Sequence, residues 1–567
     1  MTSPGSTPLP ATGPTGPAPV ASAVRPGPAA PPTAGRPPAF PAAPALPRPP
    51  SMIARRWPGP SGDAGPMVLV ATAVAAVVGA SVLTMVRPGL GWLVAVLAGT
   101  AALTTAAVVR SLTSSPVAVR TEPTEPGAAT GAESARPGAT GAPGRVAQVA
   151  WAAATVALIA VGTFRAAGWL FALCLIAAVG TLTLAVTGGR TPLGMLVAVT
   201  LPPAATVRAL PWAVRGVRTN RSAGSGIGFG SIVTSLAVSA VLLTLFGVLF
   251  SSADAVFANL VGALLPDIGP AGVIGWLLRL VLIGGVLLGG AYLVSRPPDL
   301  AGLRPASSRP AHRLEWTLPL VLLDALFAAF VLVQLTVLFG GAGHVLRTAG
   351  LTYAQYARGG FWQLLAVTAL TLLVIAIAAR RAPKATRGDR LLVRVLLGTL
   401  TALSLVIVAS ALYRMQVYAD AYGATRLRLV VSTVELWLGL LFVLVGVAVA
   451  RLRAEWLPRL VVGTAVLALL GLALLNPDRL IAERNVDRYL ETGRLDVSYL
   501  SGLSADAVPA LDRLPEPMRS CALGQIAAEL PRDGFWAANL GRERARRVLH
   551  TTPVSAGVTD CLGLQRW

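Results

Sequence analysis

Apolar runs long enough to cross a bilayer constrain this chain more than any other feature. They fall at 67–86, 90–110, 146–163, 167–187, 229–250, 272–294, 316–339, 361–379, 392–413, 429–450 and 459–475. About 20 helical residues span the hydrocarbon core of a bilayer. Within lipid each segment must satisfy its own backbone N–H and C=O groups, so runs of this length become helices. The expectation is an all-α polytopic membrane protein with about 11 transmembrane helices and a small helical C-terminal extramembrane segment. Composition agrees, with 54% hydrophobic and 13% charged residues and a mean hydropathy of +0.67. A soluble fold carries about 25% charged residues and could not cover so apolar a surface.

The runs divide the chain. Residues 1–66 are Pro-, Ala- and Gly-rich with five arginines, too poor in large apolar groups to offset their ordering entropy, so they read as a disordered cytoplasmic tail. Residues 67–187 read as two transmembrane hairpins, with 111–145 as a linker. Residues 188–228 are Arg-rich. Within them 192–212 is apolar but carries Pro202, Pro203, Arg208 and Pro211, which points to an interfacial or re-entrant segment. The main transmembrane domain is expected at 229–475.

Charge tests this arrangement. With the N-terminus inside, the inner segments hold 26 Arg/Lys and the short outer loops hold seven, as the positive-inside rule requires. This distribution accounts for the net charge of +22 without nucleic acid. It predicts a multi-pass protein of the cell (plasma) membrane with a cytoplasmic N-terminus and residues 476–567 outside. That last segment balances 12 basic with 12 acidic residues and opens on Asn476-Pro477-Asp478, an N-cap, first-turn proline and first-turn acid for a helix running to about Thr492.

Candidate chemistry sits in three places. Arg279, Asp324 and Glu435 are ionisable residues inside apolar runs, each costing about 2.5–3.5 kcal/mol on insertion scales unless compensated. Arg279 and Glu435 fall at similar depth and are expected to pair. Asp324 has no opposite charge at its own depth. The outer loops hold Tyr353, Tyr356 and Arg358, then Tyr413, Arg414, Tyr418, Asp420, Tyr422, Arg426 and Arg428. These residues fit an interfacial aromatic belt. They equally fit arginine forks for anionic head groups, or a docking face for the C-terminal segment. Cys521 and Cys561 are the two cysteines outside an apolar run, and they form a candidate disulfide in an oxidising compartment.

Other chemistry lacks its residues. There is no Cys-x-x-Cys or Cys/His cluster for a metal, so neither metal nor cofactor is expected. The three histidines lie in separate segments without a nucleophile context. The glycine run 224–230 lacks the lysine of a phosphate loop.

Three stretches carry a family resemblance. They are Gly350-Leu351-Thr352-Tyr353-Ala354-Gln355-Tyr356-Ala357-Arg358 with Gly360-Phe361-Trp362, Tyr413-Arg414 through Tyr422-Gly423-Ala424-Thr425-Arg426-Leu427-Arg428, and Asn476-Pro477-Asp478 with Asn485-Val486-Asp487-Arg488-Tyr489. Their order resembles the bacterial integral-membrane family catalogued as domain of unknown function 4173, over roughly 229–515. That resemblance implies the architecture and no catalytic residue. The functional expectation is a non-enzymatic interaction or scaffold module acting through its outer face. Its expected partners are the lipid bilayer and an envelope protein or anionic lipid. The alternative is a transporter or lipid-handling protein using Asp324 and the Arg279/Glu435 pair.

Overall fold

In the computed structural model the described residues are 57–113, 142–189, 191–222, scattered positions between 239 and 257, 270–298, 300, 312–339, 361–530, 532–555 and 561. Among them there are helices and no strand. The expected run 229–250 lies largely outside the described residues, as do the tail 1–56 and the linker 114–141.

The first hairpin is α1 (Pro66–Val82) and α2 (Leu90–Thr113); the second is α3 (Ala142–Phe164) and α4 (Gly168–Thr187). Small residues let these helices approach closely, as expected where apolar burial alone cannot drive association. Gly91 lies against the Val82 carbonyl, and Gly162 against the Phe171 ring. Thr155 and Thr181 share a buried hydroxyl hydrogen bond of 2.8 Å. Helix α6 (Pro270–Ser295) packs between α1 and α2, with Gly79 on Ile283 and Gly99 on Leu287.

The remaining long helices are α7 (Arg313–Phe339), α8 (Phe361–Arg381), α9 (Arg387–Tyr422), α10 (Arg426–Arg451) and α11 (Leu457–Leu475). Helices α7 and α9 run parallel. Arg313 Nε donates to Asp389 at 2.7 Å at one end, and Gln334 meets Ser410 and Arg414 towards the other. Both pairings have a sequence offset of about 76, so the two helices stay in register. Helix α10 returns antiparallel to α9, with Gly439 on Val408 and Gly446 on Thr401. A capping box at Thr386 and Asp389 starts α9.

Among the described residues nine helices are long and apolar enough to cross a membrane. Eleven were expected from the apolar runs. The difference lies in 229–250, in α1, which is 17 residues long, and in α8, which falls outside the nine. Pro192–Thr219 enters the nine instead. It is part of α5 (Pro192–Ser222), a continuous helix despite Pro202, Pro203 and Pro211.

The contacts of α5 lie at one end of the bundle. Gly194, near its start, lies against Leu300, just beyond α6. Thr206 reaches Gly285 and Gly289. The Trp212 ring then packs on Tyr292, its Nε1 donates to Gly62 at 3.0 Å, and Gly216 lies on Ala64, just before α1. A helix running alongside α6 from end to end would change partners by some twenty residues. Instead α5 begins and ends near the same ends of α1 and α6, dipping about 10 Å between them at 1.5 Å per residue.

Beyond α11 the chain turns into α12 (Pro477–Thr492), α13 (Val497–Ser501), a 3-10 turn Ala505–Ala507, α14 (Val508–Leu511), α15 (Met518–Ala528), a 3-10 turn Phe535–Ala537 and α16 (Leu540–Thr551). Their core gathers Ile481, Val486, Leu500, Val508, Leu511, Leu523 and Ala545 around one centre. Cys521 and Cys561 are joined, with Cα atoms 5.6 Å apart. One local expectation is corrected. Asn476 does not cap α12 with its side chain. Its backbone is left-handed (φ 54°) because it also ends α11, which turns the side chain away from the α12 amides.

Candidate functional site

The densest polar arrangement joins the C-terminal segment to the helix ends of the bundle. Helix termini leave backbone groups without intrahelical partners, and burial makes that costly. Here five helix ends are met by groups from elsewhere in the chain, four of them side chains. Asp506 accepts from the Ala166 and Ala167 amides at 2.7 and 3.2 Å, closing the start of α4. A carboxylate there also suits the positive end of the helix dipole. Asn539 donates to Gly162 and Arg165 carbonyls, both at 2.8 Å, closing α3. Arg165 donates to Ala473 at 2.6 Å and Leu474 at 2.9 Å, closing α11. The Leu90 amide donates to Ala538 at 3.0 Å, closing α2. Asn485 donates to the Ala424 carbonyl at 2.8 Å before α10.

Asp478 is the hub. It is fully buried, and both carboxylate oxygens are occupied. Arg426 Nε and Nη2 grip it at 2.9 and 2.6 Å, Trp169 Nε1 donates at 3.2 Å, and the Ser504 amide donates at 2.9 Å. Thus α10, α4, α12 and the 503–507 turn meet at one carboxylate. Burial alone would raise its pKa. The Arg426 bonds and charge, with Ser504, more than offset that and hold the carboxyl below its usual range. Asp506 goes the other way. Burial raises it, opposed by the Ala166 amide, Arg165 and the Ala167 amide, and the net direction is up. Tyr499 adds a hydroxyl that accepts from the Arg426 amide at 2.7 Å.

Close approach at this seam requires glycine. Gly541 lies against Asp506 and the Ala166 amide, and Gly89 against the Ala537 backbone. Gly423 has φ +81° and faces Asn485 and Arg488.

Of the outer-face residues named from sequence, Arg426 is at the hub. Arg428 bonds the Gly423 carbonyl and stacks over the Tyr418 ring at 4.3 Å. Arg414 meets Gln334, while Asp420 and Tyr422 are exposed on the last turn of α9. Tyr353, Tyr356 and Arg358 lie outside the described residues, as does the glycine run 224–230. Trp169, Asp506 and Asn539 were missed, since nothing local marks a residue whose partner is more than 300 positions away.

The expected Arg279–Glu435 pair is corrected. Arg279 donates to the Leu83 carbonyl at 2.8 Å, where α1 ends, so its fork serves a helix terminus. Glu435 lies elsewhere, against α8 and α9, beside a cavity of about 10 Å³ lined by Leu365, Thr368, Ile407, Val408, Ala411 and Leu438. Equal depth does not give proximity when the two helices have different neighbours. Glu435 and Asp324 are both buried, and Asp324 finds no hydrogen bond among the described residues. The α7/α9 and α9/α10 registers put them about 12 residues apart in depth, roughly 18 Å. They therefore form no common site. Among the described residues no group of His, Cys, Asp and Glu could hold a metal ion.

The geometry at the hub saturates the Asp478 carboxylate. A carboxylate with four donors has no lone pair left for proton transfer, so the arrangement is suited to holding surfaces together. The model of one family, described as Domain of unknown function (DUF4153), matches residues 153–514. This corrects the resemblance to domain of unknown function 4173. The motifs behind it are aromatic and arginine-rich interfacial loops, a chemistry that unrelated membrane families share. No curated protein and no solved structure matches the chain.

Proposed function

The chain belongs to this family of unknown function, and from that premise we propose a non-enzymatic interaction or scaffold role for it in the cell membrane. Its working surface is the C-terminal segment, held rigidly on the outer ends of the membrane helices. The observation that carries this reading is the Asp478 hub, where four donors from three separate parts of the chain fix the segment in place. A loosely tethered domain would need no such joint. The 26-to-7 charge split supports an inside N-terminus and an outside cap. The contacts of α5 at one end of the bundle support the same count, because a helix that starts and ends on one side leaves later orientations unchanged.

Two experiments test this. Alkaline phosphatase fused after Trp567 is active and the same fusion near Lys384 is inactive; the reverse pattern overturns the orientation. Photo-crosslinking residues at Leu490 and Phe535, both exposed on the cap, give discrete protein adducts in intact cells, while Val395 on α9 gives none. Absence of adducts at every cap position contradicts the scaffold role.

One observation favours a second reading as a transporter. Asp324 and Glu435 are buried carboxyls in apolar helices, and Asp324 lacks a hydrogen bond among the described residues. If Asp324→Asn folds normally yet fails to complement a null strain, transport displaces the scaffold role.

A further inference from the structure

Three helices each turn one face towards a small cavity. Leu365 and Thr368 on α8, Val408 and Ala411 on α9, and Glu435 and Leu438 on α10 line it, and in each pair the two residues are three apart, on one side of the helix. Gly439, lying on Val408, lets α9 and α10 close in beside it. The cavity measures about 10 Å³. One water needs roughly 10–15 Å³.

The lining is hydrocarbon except for Thr368 and Glu435, which are both buried. Glu435 is 6% exposed, and its Oε2 makes no hydrogen bond among the described residues. The nearby hydroxyls of Thr371 and Ser404 donate to carbonyls of their own helices, at Val367 and Leu400.

The cations of the three helices are engaged or distant. On α8, Arg380 is 12 residues beyond Thr368, about 18 Å along the axis, and Arg381 is further still. On α9, Arg394 is 14 residues before Val408. Arg414 is nearer, three residues beyond Ala411, but its guanidinium is bonded to Gln334 on α7, and Tyr413 beside it is exposed. On α10, Arg428 lies seven residues before Glu435 and holds the Gly423 carbonyl. Asp324, the other buried carboxyl, is roughly 18 Å away in depth.

A carboxylate buried without a partner is costly as an ion, whereas the neutral acid needs only a hydrogen bond. Two oxygen-bearing side chains are too few for a hard cation, which takes about six oxygens. They do suit a single water, which takes about two to four polar contacts.

We propose that Glu435 is an intramembrane proton-binding site, in which the carboxyl carries a proton and one water bridges it to the Thr368 hydroxyl. This deepens the transport reading, on which its physiological role rests, by naming the proton as the ion bound. Occupancy of the site is read on the protein at rest, without any transport assay.

Infrared difference spectroscopy of the full-length protein in nanodiscs at neutral pH tests it. Wild type minus Glu435→Gln shows the carbonyl stretch of a protonated carboxyl, and glutamine, as the neutral isostere, leaves the protein folded. Should it not fold, Glu435→Asp shifts the band and assigns it instead. Thr368→Val moves the band to higher frequency, because the water loses its second anchor and the acid its hydrogen bond. Asp324→Asn leaves the band in place. A wild type without the band overturns the proposal, as does a band that Thr368→Val does not move. So does a band that appears only in Arg414→Gln, which would make Glu435 the ionised partner of that arginine. Transport fails by a different result: an Asp324→Asn variant that complements the null strain removes that reading, while an intact Glu435 band keeps the proton site.

Discussion

Asp478→Asn separates a structural joint from a merely crowded surface. The wild-type carboxylate is fully buried and takes four hydrogen bonds, two of them from one arginine fork. Asparagine keeps the shape but turns one oxygen into a donor, which then faces another donor. Breaking a buried pair costs about 3–5 kcal/mol. The Arg426 side chain is 33% exposed, so water recovers part of its charge and the lower figure, about 3 kcal/mol, applies. The assay is thermal unfolding in nanodiscs, with hydrogen exchange following the 503–507 turn. A double-mutant cycle with Arg426→Gln then shows strong coupling, since either single change removes the same bonds. The pH dependence has a definite sign. A carboxyl whose folded pKa is depressed stabilises above its ordinary value near 3.9, and that contribution fades as pH falls through the lower folded value. The seam therefore holds at neutral pH and loosens in strong acid. A loss below about 1 kcal/mol, or additive effects in the cycle, would refute the joint.

Three further outcomes follow from the geometry. Asp506→Asn costs less than Asp478→Asn despite similar burial, because the raised pKa of Asp506 means ionisation there opposes folding at neutral pH; equal losses in the same unfolding assay would contradict this. Gly423→Ala destabilises by about 1–3 kcal/mol, since φ +81° with ψ 161° is open essentially to glycine alone and the new Cβ would meet Asn485; a neutral effect would show that the turn differs. Glu435→Gln and Arg279→Met act additively on stability, and partial rescue in the double variant would restore the pairing that the structure separates.

Most of the helical architecture is legible in the sequence because lipid imposes it. Long apolar runs must become helices, and the observed α2, α4, α6 and α11 begin and end within a few residues of the runs that predict them. The α12 boundaries are legible too, from Pro477 at its start and Gly493 at its left-handed end. What escaped was the choice of neighbours. Arg279 and Glu435 share a depth, but depth is one coordinate of three, and the carbonyl that Arg279 meets belongs to α1. The seam escaped for a related reason. Asp478 reads as an ordinary first-turn acid, and Asp506 has no local signal, yet both are committed to groups 26 to 340 positions distant. Side chains that close helix ends across such separations leave no periodicity to find.

The central claim is that the C-terminal segment is fixed on the helix ends, and a disulfide trap tests it most directly. The Leu90 amide donates to the Ala538 carbonyl at 3.0 Å, which brings these two backbones within disulfide range. With Leu90→Cys and Ala538→Cys in native membranes, mild oxidation should link the two positions rapidly and nearly completely, as read by mass spectrometry of unreduced peptides. Two thiols that stay free under oxidant, in protein that is otherwise folded, would mean that the segment does not sit on the bundle, and the seam would fall with it.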